Sequence, residues 1–141
     1  MTFRIEKDFL GEFKVPAHAY YGVHTARALD NFNLPDYHYS HLYLIKAFAK
    51  VKLAAANANY RTGKLGKEIR DAIEFACKEI LQDKYLDQFI LPGIQGGAGT
   101  STNMNANEVI ANIALEHLGY EKARYDVLHP INHVNMSQST N

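Results

Sequence analysis

Two stretches of this sequence concentrate residue types that can hold a small anion. The first is Gln95-Gly96-Gly97-Ala98-Gly99-Thr100-Ser101-Thr102-Asn103-Met104-Asn105. Its glycines let the backbone approach a ligand closely and take positive φ. Thr100, Ser101 and Thr102 are good residues for starting a helix. A loop feeding a helix in this way presents free N–H groups and the positive end of the helix dipole, which favours a phosphate or a carboxylate. A P-loop needs Gly-x4-Gly-Lys-[Ser/Thr], and no lysine stands between Gln95 and Asn105. Only the first two glycines of the dinucleotide fingerprint are matched, and no credible strand precedes them. Both nucleotide readings are rejected. A tight turn before a capped helix, with no ligand, is the plainer alternative.

The second stretch runs from His129 to Asn141. Ser137, Ser139, Thr140 and Asn141 are neutral donors suited to a carboxylate, an amine or a water, and they also suit a solvated tail. His129 and His133 stand four apart, a spacing that on a helix suits one metal. Pro130 and the missing Glu make the segment unlike a His-Glu-x-x-His zinc helix, and the sole cysteine is remote. No metal is expected.

The elements that must position these clusters read as mainly α with a small β element. Residues 3–15 alternate loosely around a Gly-containing turn, which predicts a β-hairpin closed by Pro16. Helical spacing follows from Tyr20 to Phe32, then from about Ser40 to Tyr60, about Gly66 to Gln82, and about Thr100 to Leu118. In the second helix Lys46, Lys50, Asn57 and Arg61 form one narrow polar stripe, so this helix is expected to be buried on several sides. Cys77 lies in the apolar stripe of the third and reads as a small buried hydrophobe. Residues 83–94 are irregular. In the fourth helix Asn103 and Asn107 share a face with Ile110 and Ala114, while Ser101, Asn105, Glu108, Asn112 and Glu116 form a separate polar stripe. Buried amides must be hydrogen-bonded, so a rigid polar network supporting the glycine loop is expected.

Composition bounds the function classes. The 141 residues carry 15 Lys+Arg against 15 Asp+Glu, a net charge of zero, with 47% apolar residues and one cysteine. Length fits one globular domain. No basic excess exists to release counterions from a nucleic acid. One cysteine excludes an intramolecular disulfide framework. No apolar leader or membrane-length run is present, so a soluble, cytoplasmic domain is expected.

Together the motifs make the chain resemble a known family. They are Val15-Pro16-Ala17-x-Ala19-Tyr20-Tyr21-Gly22-Val23-His24-Thr25, then Gln95 to Ser101 with Asn103-Met104-Asn105-x-Asn107-Glu108-Val109, and finally His133-Val134-Asn135-x-x-Gln138-Ser139-Thr140-Asn141. The chain closely resembles the N-terminal domain of the aspartate ammonia-lyases, in the superfamily that also holds the class II fumarases. Gly96-Gly97-Ala98-Gly99-Thr100-Ser101 and Ser139-Thr140-Asn141 favour the ammonia-lyases, since fumarases typically carry Ser-Ser-Asn at the second position.

The resemblance implies reversible elimination of ammonia from L-aspartate to fumarate, without a metal or organic cofactor, in a homotetramer that binds no nucleic acid and no membrane. It implies that residues 1–141 form an N-terminal domain whose central helical bundle and C-terminal domain lie elsewhere. Thr100, Ser139 and Thr140 match the donors to the β-carboxylate, and Asn141 matches the contact to the amino group. Gly97, Ala98, Gly99, Ser101 and Asn103 form the supporting loop. The catalytic serine loop and a threonine-histidine pair are absent from the chain, so it is expected to be inactive alone. His129 and Asn132 fall where fumarases have a segment linked to a second carboxylate site, although Ile131 stands where fumarases carry Asn. A fumarase, or a non-catalytic helical module for anion binding or assembly, remains the alternative.

Overall fold

The computed structural model describes residues 2–34 and 42–140. Strands β1 (Phe3–Asp8) and β2 (Gly11–Pro16) form an antiparallel hairpin, in register from Phe3 opposite Pro16 to Asp8 opposite Gly11. The reversal is made at Gly11, whose φ of 111° suits a residue without Cβ. Four α-helices follow among the described residues: α1 (Val23–Asn31), α2 (Leu42–Arg61), α3 (Lys67–Leu81) and α4 (Thr100–His117). A 3-10 turn at Leu86–Gln88 lies in the stretch expected to be irregular, and a π-type turn spans Pro130–Val134. The mainly helical fold with a small hairpin is as the sequence predicts. No described helix is long and apolar enough to cross a membrane.

Helix α4 is the centre of the molecule. Every residue from Asn103 to Leu115 is buried, and the helix packs against α1, α3 and the 130–134 turn. Apolar Val109, Ile110, Ile113 and Leu115 meet Ile73, Ala76, Cys77 and Ile80 of α3 in one core with Phe89 and Leu128. Cys77 is wholly buried there, and burial pushes its thiol up to about 12, so it is a core residue as expected.

Two expectations are corrected. Helix α1 starts at Val23, not Tyr20, because residues 20–22 form the turn that delivers the chain into it. Helix α2 is not buried on several sides. Its buried stripe is Ile45, Ala49, Lys52, Ala56 and Asn59, whereas Leu42, Tyr43, Leu44 and Val51 are 41–77% exposed. Its main packing is with α3, so the rest of its apolar girth faces outward among the described residues.

Candidate functional site

The glycine loop reaches α4 through left-handed backbone. Gly97 has φ 137°, and Gly99 holds the N-cap position at φ 85°. The three hydroxyl residues expected to open the helix lie inside its first turn, and no side chain caps the helix start. Thr102 instead anchors the loop, accepting a 2.8 Å bond from Gln95 Nε2, which also donates to Pro92 O. Gly96 to Thr100, with Ala98 among them, are exposed, and Ser101 is half-buried.

A buried amide network joins this helix start to the second cluster. Asn103 Nδ2 donates to Thr140 O at 2.8 Å and to Ser139 O at 3.4 Å. Asn135 Nδ2 donates to Ser139 O at 3.2 Å, and Asn135 Oδ1 accepts from both Asn103 and Asn107 Nδ2 at 3.2 Å. Asn59 of α2 donates to Met136 O. The chain turns sharply at Ser137, which takes a φ of 60°, a conformation that a non-glycine residue adopts only when its surroundings hold it. The network expected from the asparagines is therefore present and reaches Ser139 and Thr140, both exposed. It is not fully satisfied, since Asn105 Oδ1 and Asn107 Oδ1 are buried without a partner among the described residues. Asn141 lies outside the described residues.

The same network contains a residue that sequence reasoning missed. Lys52 is 2% exposed, and its Nζ donates to Asn135 Oδ1 at 2.6 Å and to Gln138 Oε1 at 3.0 Å. Burial pulls its ammonium down to about 8. The signal was in the helical phase. Ile45, Ala49, Lys52, Ala56 and Asn59 step by 4, 3, 4 and 3, so a lysine sits on the seam that must face the core.

The predicted residues do not share one cavity. Thr100 and Ser101 line a cavity of about 650 Å3 with His24, Arg27, Asp8 and Met104. Ser139 and Asn103 line a second one, of about 290 Å3, with Lys52, Gln138, Phe48 and Val51. Asn103 is the hinge between them, one turn along α4 from Thr100 and bonded to the 139–140 backbone.

His129 caps the 130–134 turn, its Nδ1 accepting from Ile131 N at 3.0 Å and Asn132 N at 3.2 Å. His133 Nδ1 accepts from His129 N at 2.8 Å. Burial lowers both imidazoles below their ordinary pKa, which suits rings used as acceptors. Asn132 is exposed.

On the far side of α4, Glu108 explains the Tyr20–Thr25 motif. Its carboxylate accepts from Gly22 N, His24 N, Thr25 N and the Thr25 hydroxyl at 2.6–3.1 Å. Glu6 accepts from Val23 N at 2.9 Å. Two carboxylates from other elements thus cap the start of α1, where the helix dipole favours negative charge. A Cβ on Gly22 would lie 2.6 Å from Tyr125 Oη and 2.7 Å from Glu6 Oε2. Burial raises the Glu6 carboxyl above its usual range, opposed by the adjacent Arg4 guanidinium.

Comparison with known proteins gives this arrangement a family. A family model described as a lyase matches residues 11–141. The chain belongs to that lyase family. Aspartate ammonia-lyase of Corynebacterium glutamicum is 54% identical over 99% of this chain and 27% of its own length. The aspartate ammonia-lyase of Bacillus subtilis is 55% identical over 99% of this chain and 29% of its own length. A fumarate lyase:delta crystallin structure from Brucella melitensis superposes with a TM-score of 0.95 at 50% identity, covering 99% of this chain and 33% of that one. A class II fumarase structure from Schistosoma mansoni gives 0.91 at 37% identity, covering 99% and 29%. The resemblance read from the three motifs is thus borne out. The chain spans about a third or less of the length of the lyases it matches.

Proposed function

We propose that this chain is the N-terminal domain of a cytoplasmic, homotetrameric aspartate ammonia-lyase and supplies its substrate-carboxylate and amine contacts. In the reaction that the resemblance implies, a base from another segment removes a Cβ proton of L-aspartate. Charge then spreads into the β-carboxylate as an enediolate, the C–N bond breaks, and ammonia leaves fumarate behind. Thr100, Ser139 and Thr140 hydroxyls donate to that carboxylate, with Asn141 at the amino group. Preorganised donors aimed where charge develops act as an oxyanion hole, each worth about 2.7–4 kcal/mol of barrier.

One observation carries the reading. Asn103, one turn along α4 from Thr100, bonds the backbones of Ser139 and Thr140, so hydroxyls 39 residues apart are tied to a single helix start. Identities of 54–55% to two aspartate ammonia-lyases, against 37% to the fumarase structure, support ammonia elimination over hydration. Exposed Leu42, Tyr43, Leu44 and Val51 on α2 support burial of that face against further protein in the tetramer.

The test is a chimera in which this chain replaces the corresponding segment of the Corynebacterium glutamicum enzyme. It is expected to form fumarate from L-aspartate, while the 141-residue chain alone forms none above a buffer blank. Conversion of L-malate but not L-aspartate by the chimera, or fumarate formation by the isolated chain, would sink the proposal.

A further inference from the structure

We propose that Lys52 is a positioning residue for this site, holding the Ser139–Thr140 backbone through Asn135 and Gln138. The inference rests on the function proposed above and deepens it. Lys52 lies in α2, far in sequence from both clusters, yet it makes two bonds into the segment that carries the hydroxyls and lines the same cavity as Ser139. None of the ion pairs among the described residues includes it. The side chains facing it are neutral: Asn135 and Gln138 of the turn segment, and Cys77 of α3, which burial keeps a thiol up to about 12. A buried ammonium without a counter-charge is a poor device for stability.

Its effect on Asn135 is specific. An ammonium only donates, so Asn135 must turn Oδ1 toward Lys52, and that orientation aims Nδ2 at Ser139 O. The same Oδ1 then takes the Asn103 and Asn107 amides, which fixes the Asn103 group that holds Thr140 O. A neutral amine accepts as well as donates, and without its charge it holds the Asn135 oxygen more weakly. Loss of the Lys52 charge therefore leaves Asn135 held by the Asn103 and Asn107 amides alone and loosens the 139–140 backbone.

The experiment uses Lys52→Met in the chimera. Wild type is expected to lose kcat/KM for L-aspartate as pH rises through about 8. The variant is expected to show a kcat/KM about 10–100-fold lower at pH 7, with that alkaline limb gone. A limb that persists in Lys52→Met, or an unchanged kcat/KM per folded tetramer, overturns the inference. Should Lys52→Met fail to fold, Gln138→Leu removes one acceptor from the ammonium, and the limb should then move to lower pH. A stationary limb overturns it equally. An inactive wild-type chimera defeats the functional reading instead. Lys52 is then judged by exchange of the Gln138 amide, which donates to Asn135 O at 3.1 Å, in the 141-residue chain, where Lys52→Met should accelerate exchange about tenfold. Unchanged exchange there overturns the positioning role.

Discussion

A buried charge node lies on each side of helix α4, Glu108 on that helix and Lys52 on α2, and the two are built on opposite principles. Glu108 is surrounded by N–H and O–H donors from Gly22 and the first turn of α1, with the half-exposed His24 ring 3.0 Å away. Lys52 has two neutral amide oxygens and no carboxylate among the described residues. A saturated anion at a helix start is an anchor, because every donor it satisfies would otherwise be buried unpaired. A cation held by neutral amides stays sensitive to its own protonation and reports to whatever those amides hold. The anchor shapes the fold, and the under-compensated node lies at the candidate site.

Breaking the anchor should give the largest effect. Glu108→Ala strands four donors at 1–3 kcal/mol each, so a loss of about 4 kcal/mol or more is expected in urea unfolding. A loss under about 1 kcal/mol would erase the distinction between the two nodes. Gly22→Ala pushes a methyl against Tyr125, Glu6 and Glu108 and should destabilise by about 2–3 kcal/mol in the same measurement.

Lys52 should behave in the opposite sense. Replacing a buried charge by an apolar side chain is often neutral or stabilising, so Lys52→Met should move the urea midpoint little at pH 7. The pH dependence sharpens this contrast. The folded pKa of about 8 lies below the ordinary 10.5, so between them the unfolded chain binds more protons and stability rises with pH. From pH 8 to 9, before the Cys77 thiol opposes the trend, wild type should gain about 1 kcal/mol relative to Lys52→Met. Stability would thus rise over the range where kcat/KM falls. Parallel falls in both would mark Lys52 as an ordinary structural residue.

The smallest effect belongs to His24. Its bond to Glu108 raises the imidazole pKa, so its contribution is fully present below the unfolded value of 6.5 and is lost as pH rises through the folded one. Thermal unfolding should therefore show a slight decline as pH rises from 6.5 that His24→Asn abolishes. A decline that persists in the variant would assign it to another group.

Legibility in the sequence differed between these regions for physical reasons. The hairpin, the four helices and the glycine loop announce themselves through local periodicity and turn chemistry, and the three motifs identify the family outright. Periodicity places Glu108 in a polar stripe but cannot say what faces that stripe, and its partners lie more than 80 residues away. Lys52 breaks an apolar seam, which is a legible signal, but the Lys46, Lys50, Asn57 and Arg61 stripe does not include it, and its acceptors lie more than 80 residues away. The asparagine network was legible because buried amides demand partners. Its split between two cavities was not, since that depends on where a long-range turn is docked.

The central claim is that hydroxyls held at the start of α4 bind the carboxylate on which charge develops. Thr140→Ala in the chimera tests it most directly, because Thr140 is exposed and its loss should leave the urea midpoint in place. A fall of about 100–1000-fold in kcat/KM for L-aspartate is expected. An unchanged kcat/KM in a folded tetramer would contradict it.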